Sequence, residues 1–148
     1  MKKILQYLKA AFEQADEAMN HLNISIGRCK IFINNEAFSE EQLIELEALT
    51  GRFARLSDLL IQKIFKAINE LDGSAPGTVR DRLLEAEKKG IINNAEIFLE
   101  IRNMRNTIAH EYEFSALKDI FVFAFKHSDF LIDALKESKE YSQKFYNN

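Results

Sequence analysis

One stretch carries every signal of a single long helix: FSEEQLIELEALTGRFARLSDLLIQKIFKAINELDG, residues 38–73. Ser39 precedes Gln42 by three residues, the spacing of a capping box in which each side chain bonds the other residue's backbone N–H. Apolar side chains then recur every three or four residues, as one face of a helix requires. They are Leu46, Leu49, Phe53, Leu56, Leu60, Ile64, Ala67 and Leu71. Gly73 supplies a C-terminal stop, so this stretch predicts one uninterrupted helix.

The same helical period recurs on both sides of this stretch. A first apolar stripe spans residues 5–33 and predicts one long first helix. After the loop SAPG, residues 74–77, Thr78 can cap a short third helix that Gly90 ends. Asn93 with Glu96 opens a fourth helix, and Ser115 can cap a fifth. The core positions expected on the fourth helix are Ile97, Ile101, Met104 and Ile108, and those on the fifth are Leu117, Phe121, Ala124, Ser128, Leu131 and Leu135.

The composition gives little support to strands. Five glycines, one proline and no alternating Val/Ile/Thr runs leave few turns for hairpins, so the chain is predicted to be all-α. Long helices with short connections pack antiparallel, which predicts an up-and-down four-helix bundle with one additional short helix, in a single domain spanning residues 1–148. The fifth helix has a second apolar row at Ile120, Phe123 and Phe130. This row either marks the helix as central in the bundle or forms a homodimer surface.

Charge, cysteine and hydropathy restrict the classes of function. The net charge is −3, with 20 basic and 23 acidic residues, so any nucleic-acid site must be local. A single cysteine, Cys29, suits a reducing compartment and is expected to fill the core. No apolar run is long enough for a membrane span or a signal peptide, which favours a cytoplasmic protein without a membrane partner. No motif has the spacing of a metal or nucleotide site, so neither a metal nor a cofactor is expected.

The densest cluster of polar chemistry is EIRNMRNTIAHEYEF, residues 100–114. If the expected core positions of the fourth helix face inward, Arg102, Asn106 and His110 follow one another at i,i+4 on the outward face. Arg105 is expected nearer the edge of the core, about 140° around the helix axis from His110. These two side chains can converge through the length of Arg105, a bend at the helix end or a second copy of the protein.

The pattern Arg105, Asn106, three residues, His110, one residue, Tyr112, at the end of a helix in an all-helical chain, resembles the HEPN superfamily. It is most similar to the HepT-type toxins and their relatives encoded beside minimal nucleotidyltransferases (MNT). The segment TGRFARLSDLL, residues 50–60, also resembles the corresponding helix of nucleotidyltransferase-associated members. The resemblance covers almost the whole chain and implies a HEPN-like bundle.

This resemblance implies a metal-independent endoribonuclease toxin with Arg105 and His110 as catalytic residues and Asn106 and Tyr112 in support. A neutral imidazole can take the proton of a ribose 2′-OH, its protonated form can serve the leaving oxygen, and a guanidinium matches phosphate oxygens. A homodimer would place two histidines in one RNA-binding cleft. The family further implies a cognate MNT antitoxin that adds AMP to Tyr112 or inhibits by complex formation.

Plainer roles stand beside each of these expectations. Arg102 and Asp58 are possible auxiliary residues of the cleft or simply members of polar helix faces. Tyr112 can instead anchor the turn into the fifth helix. Two other functions also fit the sequence: a non-catalytic substrate-binding subunit of a minimal nucleotidyltransferase, and a plain helical interaction module.

Overall fold

The computed structural model describes residues 1–108 and 114–147, with backbone placement only for Arg105, Ile108 and residues 114–116. Its helices in chain order are α1 (Lys2–Cys29), α2 (Glu40–Asp58), a π-helical segment (Leu59–Ile64), α3 (Phe65–Leu71), α4 (Val79–Lys88), α5 (Ala95–Ile108) and α6 (Phe114–Tyr146). No described residue lies in a strand, and the all-α prediction is confirmed.

The predicted second helix forms a continuous rod, residues 40–71, composed of α2, the π-helical segment and α3. The capping box is present at its start, because Ser39 Oγ accepts from the Gln42 N–H at 3.2 Å and Gln42 Oε1 accepts from the Ser39 N–H at 2.9 Å. Gly73 ends the rod with a positive φ of 75°, the backbone conformation that glycine adopts without strain. The predicted stripe is buried along its whole length apart from the half-buried Leu71.

The π-helical segment interrupts this rod in a way that the sequence did not predict. A π-turn bonds i to i+5 and therefore contains more residues than an α-turn, which rotates the stripe that follows. Leu59, Leu60, Ile61 and Ile64 are all buried in this segment. Other parts of the chain therefore cover the π-helical segment on more than one side.

Polar contacts fix the relative direction of α1 and the rod. Arg28, at the end of α1, pairs with Glu45 near the start of α2 at 3.4 Å. Gln14, further back along α1, accepts from Lys63 Nζ at 3.0 Å. The two helices therefore run antiparallel, as predicted for long helices joined by a short connection.

The last helix returns along α1. Lys139 of α6 pairs with Asp16, and the Tyr146 hydroxyl donates to the Leu5 carbonyl at 3.1 Å. Since residue numbers rise along α6 as they fall along α1, these two helices are also antiparallel.

Aromatic contacts show the direction in which α5 runs along the rod. Phe98 packs edge-to-face on Phe65 with ring centroids 5.9 Å apart. Phe123, near the start of α6, packs on Phe53 with centroids 6.4 Å apart. Because α6 begins only a few residues after α5 ends, α5 runs from the level of Phe65 towards the level of Phe53, antiparallel to α2. The result is a helical bundle with α4 as its short additional helix.

Three helix boundaries differ from the sequence prediction. The first helix ends at Cys29, although Ile33 is still buried because its N–H bonds the Cys29 carbonyl in a turn. The cap of α5 is Asn94 instead of Asn93, since Asn94 Oδ1 accepts from the N–H groups of the second and third helical residues at 2.9 and 3.3 Å. The last helix begins at Phe114, one residue before the predicted cap Ser115.

The second apolar row of α6 packs within the chain itself. Ile120 is buried, and the half-buried Phe123 and Phe130 pack against the hydrophobic core. These contacts favour the interpretation that α6 is central in the bundle. A homodimer surface is not needed to explain this row and stays a prediction.

Cys29 fills the core, as predicted. It is fully buried, and its thiol lies 3.5 Å from the Glu45 carbonyl oxygen. Burial, and secondarily the charge of Glu45, raise the pKa of the thiol to about 11.

Among the helices of the described residues, none has the length and apolar character needed to cross a membrane.

A charged cluster ties α3 to α4 and α6. The Asp72 carboxylate accepts from the Tyr141 hydroxyl at 2.5 Å and pairs with Lys89 and Lys144, each at 3.2 Å. Partial burial alone would raise the pKa of Asp72, but the hydrogen bonds from Tyr141, Lys144 and Lys89 outweigh it and lower this pKa. The ionised carboxylate is therefore the form that the fold stabilises.

We expect Asp72→Asn to lower the free energy of unfolding at pH 7 by about 2 kcal/mol, because it removes the nearer carboxylate of the largely buried Lys89 and leaves it only the longer 3.9 Å pair with Glu85. Since folding lowers the pKa of Asp72, its contribution is complete above the unfolded-state value of about 3.9 and is lost as pH falls through the folded-state pKa. Urea denaturation of both proteins at several pH values measures the difference.

The matched control is Asp133→Asn, an exposed residue of α6 that forms no ion pair within the described residues. It should change stability little at any pH. Equal effects of the two substitutions, or an Asp72 effect that stays constant down to about pH 2, would contradict the role assigned to Asp72.

Candidate functional site

The candidate site is built around the C-terminal half of α5. The start of this helix is fixed firmly, because the Ala95 N–H donates to the Glu87 carboxylate at 2.7 Å in addition to the bonds that Asn94 accepts. Arg80 of α4 pairs with Glu96 at 3.0 Å. These contacts hold the N-terminal turn of α5 against α4 and so set the direction in which the helix extends towards Arg105 and Asn106.

The buried face of α5 is centred on a different residue from the one predicted. Phe98 is 1% exposed and Ile101 is fully buried, whereas Ile97 is only half-buried. The larger Phe98 ring takes the inward position because it packs on Phe65. Of the predicted core positions, Ile101 is fully buried, whereas Ile97 and Met104 are half-buried, with Ile97 packed against the core. The fully buried Phe98 was not predicted.

This rotation changes the surroundings of the predicted site residues. Arg102 is half-buried, which corrects its prediction as a member of the open outward face. Asn106 is exposed, as predicted. The backbone of Arg105 lies seven residues beyond Phe98 and so only about 20° from it around the helix axis. The side chain of Asn106 is therefore the part of the Arg-Asn pair whose exposure to solvent the structure describes.

The other two residues of the motif, His110 and Tyr112, lie outside the described residues. Their convergence with Arg105, and the closeness of the Tyr112 hydroxyl to His110, therefore stay predictions. The structure fixes only the helix end that precedes them and the helix that follows.

The auxiliary candidate Asp58 lies on the neighbouring α2. Because α5 runs antiparallel to α2 and Phe98 packs on Phe65, the backbone at Arg105, about 10 Å further along α5, is level with the region of Asp58. Asp58 is half-buried and lines a groove of about 440 Å³ together with Arg55, Gln14 and Lys63. This polar groove lies between α1 and the rod, beside the π-helical segment, and no described residue of α5 lines it.

Within residues 1–108 and 114–147, no group of three or more His, Cys and acidic side chains is arranged to hold a metal ion. Comparison of the chain with known protein families and with curated proteins finds no match.

The register of α5 can be tested by paired truncations. Phe98→Ala should lower the free energy of unfolding by about 3–5 kcal/mol, because it removes a fully buried ring and leaves a cavity against Phe65. Ile97→Ala should cost less than half as much, since this side chain is only half-buried. Guanidinium denaturation at one pH measures both losses in the free energy of unfolding. An equal or larger loss for Ile97→Ala would contradict this register and indicate that Ile97 is a central core position of α5.

Proposed function

We propose that this protein is a metal-independent endoribonuclease of the HEPN type, the toxin of a pair whose antitoxin is a minimal nucleotidyltransferase. One observation carries the proposal: the Arg105-Asn106 pair occupies the last turns of α5 in an all-helical bundle, and the next few residues of the chain supply His110 and Tyr112. The long helices and short α4 also agree with a HEPN-like bundle. Each named residue of the Arg105-Asn106-x3-His110-x-Tyr112 motif has a specific role in the proposed reaction or in its inhibition.

The reaction requires two proton transfers and one site of positive charge. The ribose 2′-oxygen attacks phosphorus, the bond from phosphorus to the 5′-oxygen breaks, and the products are a 2′,3′-cyclic phosphate and a 5′-hydroxyl. In this proposal His110 takes the 2′-OH proton or donates the proton to the 5′-oxygen. The guanidinium of Arg105 stabilises the additional negative charge on the phosphoryl oxygens in the transition state.

One histidine cannot be free base and protonated acid in the same instant, so the proposal includes a homodimer. Two copies that meet at their motif ends would place two His110 and two Arg105 side chains in one cleft. The exposed Asn106 amide can then orient a phosphate or the neighbouring His110. The half-buried Arg102 on α5 and Asp58 on α2 are its possible auxiliary residues.

The proposed antitoxin acts on Tyr112. Transfer of an adenylyl group from ATP joins the α-phosphorus to the tyrosine oxygen and releases pyrophosphate and the phenolic proton. The added phosphodiester carries a negative charge next to a site that receives RNA phosphate, and it can occupy the donors of Arg105. The modification would therefore repel substrate and block its binding at the same time.

We expect the purified protein to cleave single-stranded RNA in the presence of EDTA, and His110→Ala and Arg105→Ala each to reduce the rate by roughly 10²–10⁴-fold. His21→Ala is the matched control, because His21 is exposed on α1 and its described contact is made by its backbone carbonyl, which accepts from Arg52. Gel analysis of a labelled RNA measures cleavage. Light scattering on the same samples should give the mass of two chains, because the proposed cleft requires a homodimer.

Two results would count against the catalytic assignment. Normal cleavage by both variants would remove Arg105 and His110 from catalysis. A folded wild type that cuts none of a varied set of RNAs but forms a stable complex with the nucleotidyltransferase would favour the non-catalytic substrate-binding subunit instead.

We further expect the nucleotidyltransferase encoded beside this protein, with ATP, to add AMP to Tyr112 and to stop RNA cleavage. Tyr112→Phe should keep at least part of the activity and resist this inhibition, whereas Tyr7→Phe, which alters an exposed tyrosine of α1, should behave like wild type. Intact-mass analysis and peptide mapping measure the modification. A mass gain that maps to another residue, or inhibition without any gain, would exclude the role of Tyr112.

A further inference from the structure

One edge of α1, beside the rod, carries a row of exposed side chains. Their spacings place them on one side of the helix: Lys3, Tyr7, Gln14, Ile24 and Arg28. This edge borders the rod, because Gln14 accepts from Lys63 and Arg28 pairs with Glu45. We call this edge of α1, together with the adjoining side of the rod, the seam face.

The seam face exposes large apolar side chains near both of its ends. Ile24, Ile31 and Ile44 lie where α1 passes into α2, and Ile31 and Ile44 are 84% and 56% exposed. The exposed ring of Tyr7 lies near the start of α1. Apolar side chains that are grouped on one surface, with charged residues around them, are typical of a protein-binding site.

A groove at the α2 end of the seam face is acidic. It has a volume of about 480 Å³ and combines the apolar side chains of Phe32 and Ile44 with the carboxylates of Glu41 and Glu45. No basic residue of the described chain lines it. Glu45 pairs with Arg28, whereas the exposed Glu41 forms no ion pair within the described residues. This end therefore carries uncompensated negative charge next to apolar surface.

A groove at the other end of the seam face is basic. It lies between α1 and α3, has a volume of about 310 Å³, and is lined by Lys3, Lys66 and Tyr7 among others. Glu70 is the one acidic residue among those described in its lining. Both lysines are exposed, and neither forms an ion pair with another described residue. The two ends of the seam face thus have opposite charge.

The middle of the seam face is open. A third groove of about 440 Å³, lined by Gln14 and Gly51, lies between the two charged ones, and a Cβ added at Gly51 would meet no atom within 4 Å. From Lys3 to Arg28 the face is about 38 Å long, and two packed helices are about 20 Å wide. The resulting area of about 750 Å² is close to the roughly 800 Å² that each partner contributes to a standard interface.

We propose that the seam face binds the seam face of a second copy of this chain in an antiparallel pair. The two-fold axis lies in the interface and perpendicular to the helices, so each acidic groove faces the basic groove of the other copy. Glu41 then lies opposite the lysine end of the second copy, and Ile31 lies near its Tyr7. Because each copy gives and receives the same contacts, the pair is closed.

This contact goes beyond the proposed ribonuclease and is independent of it. No described residue of α5 lines any of the three grooves, so the motif-end contact is a different surface. If the proposed homodimer forms, the seam contact joins two homodimers at higher protein concentration. If it does not form, the seam contact joins two single chains. In both cases the mass doubles.

Sedimentation velocity from about 1 µM to about 500 µM protein, in about 50 mM salt, measures this doubling. Glu41→Lys and Lys3→Glu should each shift it to at least about tenfold higher concentration, because like charges then face each other in both copies of the contact. An equimolar mixture of the two variants should regain the wild-type behaviour, since a mixed pair is again complementary at both ends. Both positions are exposed, so neither change disturbs the core.

The matched control pair is Glu137→Lys and Lys136→Glu, exposed residues of α6 away from the seam face. Each should associate like wild type. Ile44→Ser should weaken association even in about 500 mM salt, where the charges are screened.

Three results would overturn the proposal. They are a wild-type mass that matches that of Glu41→Lys at every concentration, seam variants that act like the control pair, and a mixture that stays as weakly associated as its components. A mass that keeps growing beyond the doubling would show a head-to-tail chain and would also exclude the closed pair. Loss of RNA cleavage with normal doubling would instead count only against the proposed ribonuclease.

Discussion

The whole structure depends on the burial of one rod, residues 40–71, by helices on several sides. Its N-terminal half packs against α1 and α6, and its C-terminal half also receives α4 and the Phe98 ring of α5. Burial of apolar surface is non-directional, so it brings these helices together without deciding their order. The direction of each neighbour follows from specific contacts, such as Arg28 with Glu45 and Phe65 with Phe98.

Features that depend on local physics could be read from the sequence. Ser39 and Thr78 start helices because their hydroxyls satisfy N–H groups that lack partners inside the helix, and Gly73 and Gly90 end helices because they adopt positive φ. Features that depend on neighbours could not. Phe98 is more deeply buried than Ile97 because of a ring on another helix, and the π-helical segment leaves the apolar spacing almost unchanged.

The same distinction applies to polar contacts. The Arg105-to-Tyr112 motif is visible in the sequence because its residues are close in the chain. The hydrogen bond from Lys89 to Asn69 is not visible, since the two residues are twenty positions apart in the chain. A residue that gains its role from a distant partner carries no local signature.

The π-helical segment also sets the rotation of α3 relative to α2 about the axis of the rod. The residues before it pack against α1 and α6, and the residues after it pack against α4 as well, so the wider π-turns change the direction in which the two halves of the rod present their side chains. Arg82 donates to the Ile61 carbonyl inside this segment, so α4 is tied to the rod at the point where the direction of its side chains changes.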